Sequence, residues 1–257
     1  PPAEEEFTLH ADRVIVACGG AAAPAHGTDG TAYGMLTALG HRCTPLAPAL
    51  CALNVPKRRI QGLAGQRVRA ALWLTDSSGN TVHRSRGEAL FAEDAVSGIA
   101  AMQLARFARE EMELVLDLQD ELNMTGDVLP FIRSLADMRS GEPVAELLTG
   151  AFARPVARWI LREAGIRDLQ APIGVDSRIP RIVADTIGGV RLPVTGTRGF
   201  AFAQVTAGEI VTADFDPATM ESRLLPGLYA AGEILDVDGD CGGFNLMFAF
   251  AGGVLAG

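Results

Sequence analysis

Two stretches, one near each end of the chain, constrain the fold more than anything else. Val14-Ile15-Val16-Ala17 is apolar at every position and runs directly into Cys18-Gly19-Gly20. Far downstream, Gly227-Leu228-Tyr229-Ala230-Ala231 runs into Gly232-Glu233 in the same way. An uninterrupted apolar run suits a strand covered on both faces of a sheet. Glycine immediately afterwards lets the backbone turn tightly or approach a ligand closely. The segment between them changes texture. The expectation is therefore a mixed α/β architecture in which the two ends pack into one domain and the middle is an insertion, with a cleft as the natural ligand site.

The remaining elements follow from periodicity and punctuation. Phe7-Thr8-Leu9 reads as a short strand, and Thr31 to Leu39 as a helix stopped by Gly40. Val68 to Leu74 reads as a strand, Asp76-Ser77-Ser78-Gly79-Asn80 as a turn, and Thr81 to Ser85 as the returning strand of a hairpin. Ser97 to Arg109 is expected as one helix, and Glu113 to Leu118 alternates like a half-buried strand. Helices are expected around Leu129, Ile132 and Leu135, and around Val156, Trp159 and Ile160, the latter closed by Gly165. Strands return at Val190–Val194, Phe200–Thr206 and Glu209–Thr212, and a helix begins at Phe244.

Composition excludes several classes. With 22 Lys and Arg against 31 Asp and Glu, the net charge of -9 argues against a general nucleic-acid binder, whose affinity rests on a basic surface. Cys18, Cys43, Cys51 and Cys241 form no Cys-x-x-Cys pair, and the four histidines are scattered, so neither a disulfide scaffold nor a structural zinc site is expected. Reduced cysteines fit a cytoplasmic protein. Pro1 to Glu6 is acidic, unlike a signal peptide, and Phe244 to Gly257 is too short for a span of about 20 residues, so it reads as a buried helix.

The segment from Gly232 to Leu246 carries the chemistry. A strand ends in Gly232-Glu233, an acidic loop holds Asp236, Asp238 and Asp240, and Gly242-Gly243 opens an apolar helix at Phe244-Asn245-Leu246. A helix start offers unpaired N–H groups and the positive end of the dipole. Paired glycines let a planar or phosphorylated ligand come close. Asp236 could accept hydrogen bonds from ribityl or ribose hydroxyls. A tight acidic turn before a core helix remains the alternative.

Beyond these signals, the chain resembles the flavoproteins described as aminoacetone-oxidase-like or NAD(FAD)-utilising dehydrogenases. The residues that carry the resemblance are Val14 to Gly20, Leu39-Gly40-His41 with Pro45 and Pro48-Ala49-Leu50, Gly87 to Phe91 with Val96-Ser97-Gly98, and Thr219 to Arg223 through Pro226 to Gly243-Phe244-Asn245. The resemblance implies a Rossmann-like FAD-binding domain, residues 1–40 and 196–257, interrupted by an inserted region at 41–195. The insert would be β-barrel-like over about 41–125 and helical over about 126–187. It implies FAD as cofactor, held by Cys18, Gly19, Gly20, Gly232, Glu233, Asp236, Gly242, Gly243, Phe244, Asn245 and Leu246, with NAD(P)H a candidate electron donor. The expected partner is a small-molecule substrate, and the charge and residue patterns above leave no nucleic acid, no membrane and no metal, with a homo-oligomer open. No catalytic acid or base is named.

Three departures qualify it. No Gly-x-Gly-x-x-Gly occurs, although the family uses that fingerprint to hold the FAD pyrophosphate. The expectation is a C-terminal piece of a longer protein that by itself holds FAD weakly or not at all. Thr31 and Ala32 stand where the family has aspartate and glycine, and Val205-Thr206-Ala207-Gly208-Glu209-Ile210 keeps only part of the family's Val-Thr-Gly-Gly-Val. A non-catalytic binding or interaction module is the competing function.

Other reactive residues have plainer readings. Cys18 and Cys241 read as small structural residues, and His41 as a satisfied polar group. Glu110-Glu111-Met112-Glu113 reads as a solvated face, and the three alternate aspartates lack the order of a calcium loop. Arg198 could face an anionic substrate or simply solvent.

Overall fold

The computed structural model describes residues 8–257 and is mixed α/β. The chain separates into two compact units, one made of residues 1–47 and 204–257, the other of residues 48–203.

In the first unit the strands Val14–Val16 and Leu228–Ala230 pair in parallel, with Val14 opposite Leu228 and Val16 opposite Ala230. Helix α1, Thr31–Ala38, packs beside them, and Gly40 at φ 98° ends its turn. Tyr33 and Leu36 of α1 join Ile210, Phe215, Met220, Leu228 and Ile234 in one apolar cluster. His41 belongs to the same unit and is buried. Its Nδ1 lies 3.1 Å from Leu36 O and its Nε2 2.8 Å from Ser222 Oγ, with the ring stacked on Phe215. It is a satisfied polar group.

Several expectations fail here for identifiable reasons. Val14 and Ile15 are about half exposed, because the sheet that holds them has only two strands among the described residues: Leu228, Tyr229 and Ala230 are buried, while the strand Val14–Val16 is left as an open edge. Cys18 is exposed rather than buried. Thr8 and Leu9 form no strand, and Phe7 lies outside the described residues. Glu209–Thr212 is not a strand either. Gly208, at φ +72°, turns the chain so close to Pro45 that an added Cβ would stand 2.1 Å from Pro45 O, leaving Ile210 with isolated bridges to Cys43 and Leu235. Of Phe200–Thr206 only the end is extended, in the strand Val205–Ala207, while Phe200–Phe202 is a 3-10 turn.

The second unit is built on a seven-stranded sheet. Its centre is the hairpin Arg67–Thr75 and Thr81–Phe91, joined at the Asp76–Asn80 turn, where Asp76 Oδ1 accepts from the N–H groups of Ser78 and Asn80. Val68, Ala70, Leu72 and Leu74 point inward and Arg67 and Arg69 outward, as a period of two demands. Glu113–Asp117 pairs on the other side of Arg67–Thr75. Leu114, Val115 and Leu116 are all buried there, not alternately, so both faces of the sheet are covered at this strand, which also pairs with Val190–Pro193.

The two edge strands, Val190–Pro193 and Gly196–Thr197, are separated only by Val194 and Thr195. The three Cα steps from Pro193 to Gly196 span about 11 Å at most, so the sheet must curl until its edges approach. No ladder joins those edges among the described residues, but Val194 N–H donates to Met112 O at 2.8 Å and Thr195 N–H to Asn54 O at 2.9 Å, so one segment carries the chain from edge to edge of a curled, barrel-like sheet.

Ser97–Arg109 is not one helix. It breaks into α2, Ile99–Met102, and a 3-10 turn at Ala105–Phe107, which carries Phe107 onto the ring of His83 at 4.1 Å. Helices α3 (Leu129–Met138), α4 (Arg154–Glu163) and α5 (Ile179–Ile187) complete the unit. Trp159 of α4 is buried edge-on to Phe91 and donates its indole N–H to Arg59 O at 2.7 Å.

Candidate functional site

The glycine-rich segments meet in the first unit around a set of buried oxygens. After the strand Val14–Val16, Gly19 turns at φ +75° and Gly20 becomes buried. A Cβ on Gly20 would stand 2.6 Å from Glu209 Oε1, 2.7 Å from Glu233 Oε1 and 2.7 Å from Thr206 Oγ1. Only glycine fits beneath those three side chains. Thr206 Oγ1 accepts from the N–H groups of Ala21 and Ala22 at 2.9 and 3.0 Å, and Thr206 N–H donates to Glu233 Oε1 at 2.8 Å. Thr28 adds a hydroxyl bond to Gly20 O. The turn after the first strand is thereby tied to the turn after the last one.

Glu209 is the chemical centre of this cluster. It is fully buried, and the Tyr33 hydroxyl donates to its Oε1 at 2.6 Å. Its Oε2 has no hydrogen-bond partner among the described residues. Burial, reinforced by Glu233, Asp236 and Asp238, pushes the Glu209 carboxyl up to about 9, against the opposing bond from Tyr33. Glu209 is therefore a neutral acid at pH 7. Burial and the Glu209 contact also push the Tyr33 phenol upward. Thr44 links this centre to the acidic loop: its hydroxyl accepts from Glu209 N–H and donates to Asp236 Oδ2, both at 2.8 Å.

The last helix, α6 (Phe244–Ala256), begins at Gly243, in the left-handed region at φ 88° and without a side-chain cap. Its first helical bond runs from Met247 N–H to Gly243 O at 2.9 Å, so the amides before Met247 have no helical acceptor. Nothing lies within 4 Å of where a Gly243 Cβ would be. Gly242 is different, for the Phe244 ring comes within 3.2 Å of its Cβ position. Asn245 holds the acidic loop in place: its side-chain oxygen accepts from Gly239 N–H at 2.7 Å and its amide donates to Gly239 O at 3.0 Å.

Thus Gly20, Gly232, Glu233 and Asp236 are brought into one connected neighbourhood, and Gly242 to Leu246 form an open helix start. Cys18 stands exposed and free, and Gly19 serves as its turn. Helix α6 is formed where expected but is not buried: only Gly252 is, against Ala231, while Phe244, Leu246, Met247, Phe250 and Val254 are exposed. Tyr33, Thr44, Thr206 and Glu209 were missed by sequence reasoning. The one available signal was Glu209, which breaks the Val-Thr-Gly-Gly-Val pattern.

Among the described residues no group of three His, Cys, Asp or Glu could hold a metal ion, and no helix is long and apolar enough to cross a membrane. Arg198 is ion-paired with Asp94 within the second unit.

The residues present fit a flavin nucleotide. An open glycine backbone, unpaired amides at a helix start and a half-buried carboxylate at Asp236 are the donor and acceptor set that a ring edge and a polyhydroxyl chain require.

Comparison with known proteins agrees with the fold. A family model described as HI0933-like protein Rossmann domain matches residues 3–257. A 3-dehydro-bile acid delta(4,6)-reductase of Clostridium scindens is 34% identical over 256 residues, covering 96% of this chain and 61% of that protein. Ribosomal RNA dihydrouridine synthases of Escherichia coli and Haemophilus influenzae are 24% and 25% identical, covering 95% and 93% of this chain and 60% and 57% of theirs. The chain spans about three fifths of the length of these relatives. The matches support a Rossmann-type oxidoreductase family and a reductase relative, not specifically an aminoacetone oxidase.

Proposed function

The chain belongs to the HI0933-like protein Rossmann domain family, and from that membership we propose that it carries the flavin-facing part of an FAD-dependent reductase. The observation that carries the reading is the start of α6, where the backbone at Gly243 is open and the helix lacks a side-chain cap. Bound there, FAD supplies two-electron hydride chemistry. Phe244, Asn245 and Leu246 would present backbone N–H groups toward the polar edge of the ring, where the helix dipole favours negative charge. Gly232, Glu233 and Asp236 would border the ribityl chain. Cys18, Gly19 and Gly20 would close the same neighbourhood, with Gly20 held against Glu233.

Reduction is favoured over oxidation by the relatives. A delta(4,6)-reductase and a dihydrouridine synthase are both named for removing a ring double bond. The substrate class proposed here is accordingly a small molecule with an unsaturated ring, with NAD(P)H as the electron donor. A binding module without cofactor is the competing reading.

Flavin titration separates the two. FAD is added to the full-length protein and to its Gly243→Leu variant, and the flavin band near ~450 nm is followed after gel filtration. Retained flavin in the first and its loss in the second supports the placement. A protein that stays colourless in excess FAD, or a variant that holds flavin equally well, overturns it.

A further inference from the structure

The unit of residues 48–203 carries a charged feature that the flavin reading does not use. Helix α4 buries Val156, Ala157, Trp159, Ile160 and Leu161. Its exposed face presents Arg154, Arg158 and Arg162 at four-residue steps, about 6 Å apart along the axis. These three arginines line a cavity of about 370 Å³ whose wall also includes Gln61, Gly62 and Trp159.

No carboxylate lines that cavity. The nearest acids are already engaged: Glu163 holds Arg59 at 2.6 Å, and Glu146 is shared between the Thr149 hydroxyl at 2.7 Å and Arg154 at 3.4 Å. Arg162 donates to Gln61 O at 3.2 Å, which fixes its guanidinium at the rim. Arg158 has no ion-pair partner among the described residues. Gly62, at φ +85°, leaves open space where a side chain would stand, so the backbone there is bare.

Like charges at i,i+4 spacing repel unless something bridges them. On a flat solvated face, water and salt suffice. Around a concavity free of acids the potentials add, and a guanidinium fork matches the oxygens of a phosphate. We propose that this cleft is a binding site for a phosphate-bearing ligand, held by Arg154, Arg158 and Arg162. A phosphoryl group supplies enough oxygens and charge for three guanidinium groups, where a carboxylate would satisfy one.

The probe is inorganic pyrophosphate, titrated into the protein by calorimetry at low and moderate salt, alongside an Arg158→Ala/Arg162→Ala variant. Both side chains are exposed, so the variant should unfold at the same temperature as the parent. The expected result is binding tighter than about 1 mM that weakens with salt, and at least a tenfold loss in the variant. A short single-stranded RNA is the second arm. Pyrophosphate binding identifies a phosphorylated small molecule as the ligand, and binding of RNA alone identifies a nucleic-acid backbone as the phosphate source. Absence of binding in both arms, or equal binding by the variant, overturns the proposal. Neither result depends on whether the protein holds flavin.

Discussion

Glu209 is the residue whose chemistry the fold alters most. In the folded chain its carboxyl keeps a proton up to about pH 9, whereas its ordinary value is 4.5. Between those values the unfolded chain binds fewer protons than the folded one, so stability falls as pH rises through the window. The slope is at most about 1.4 kcal/mol per pH unit for one such group. Glu209→Gln keeps the shape and the bond to Tyr33 but cannot ionise. Urea unfolding from pH 5 to 9 should show the parent losing stability relative to the variant; parallel profiles would mean Glu209 is ionised in the folded state. Gly20→Ala tests the same centre sterically. Its Cβ would press on three oxygens at 2.6–2.7 Å, and the expected cost is about 1–3 kcal/mol of stability, read from the shift in urea midpoint.

At the scale of elements, two helices test different principles. Gly243→Leu meets no neighbour, so its cost to folding should be limited to the left-handed backbone, about 1–2 kcal/mol. Its effect on flavin retention should be much larger, because the new side chain covers the open helix start. A variant that loses stability and flavin in proportion would point to a merely structural glycine. Trp159 anchors α4 through its buried ring and its bond to Arg59 O. Trp159→Ala should cost about 3–5 kcal/mol, and Trp159→Phe less, because the ring volume survives while one carbonyl loses its donor. Thermal unfolding of both ranks them; equal losses would put the energy in the hydrogen bond and not in the packing.

At the scale of the whole molecule, exposed apolar surface is the dominant feature of the first unit. Val14 and Ile15 on the two-stranded pair, and Phe250, Val254 and Leu255 on α6, are each 47% exposed or more. Such surface favours association. Sedimentation of the protein should reveal concentration-dependent self-association, and Phe250→Glu with Val254→Lys should reduce it; a monomer at about 100 μM would refute this, that concentration being ample for a micromolar contact. Sequence alone determined a good deal. It placed α1 and its stop at Gly40, the hairpin around Asp76–Asn80 and the start of α6, because each is set by local periodicity and by glycine or turn chemistry within a few residues. It also marked Gly20, Glu233 and Asp236 as worth attention. Burial, by contrast, is a property of what lies opposite. The apolar runs at Val14 and Phe244 read as core, yet their exposure depends on which strands and helices cover them. The convergence of Tyr33, Thr206 and Glu209 on Gly20 joins segments as much as 189 residues apart, the separation of Gly20 and Glu209, so no local pattern could announce it. Desolvation of Glu209 exists only once those segments have closed around it, and with it the proton that the tertiary structure alone decides to keep.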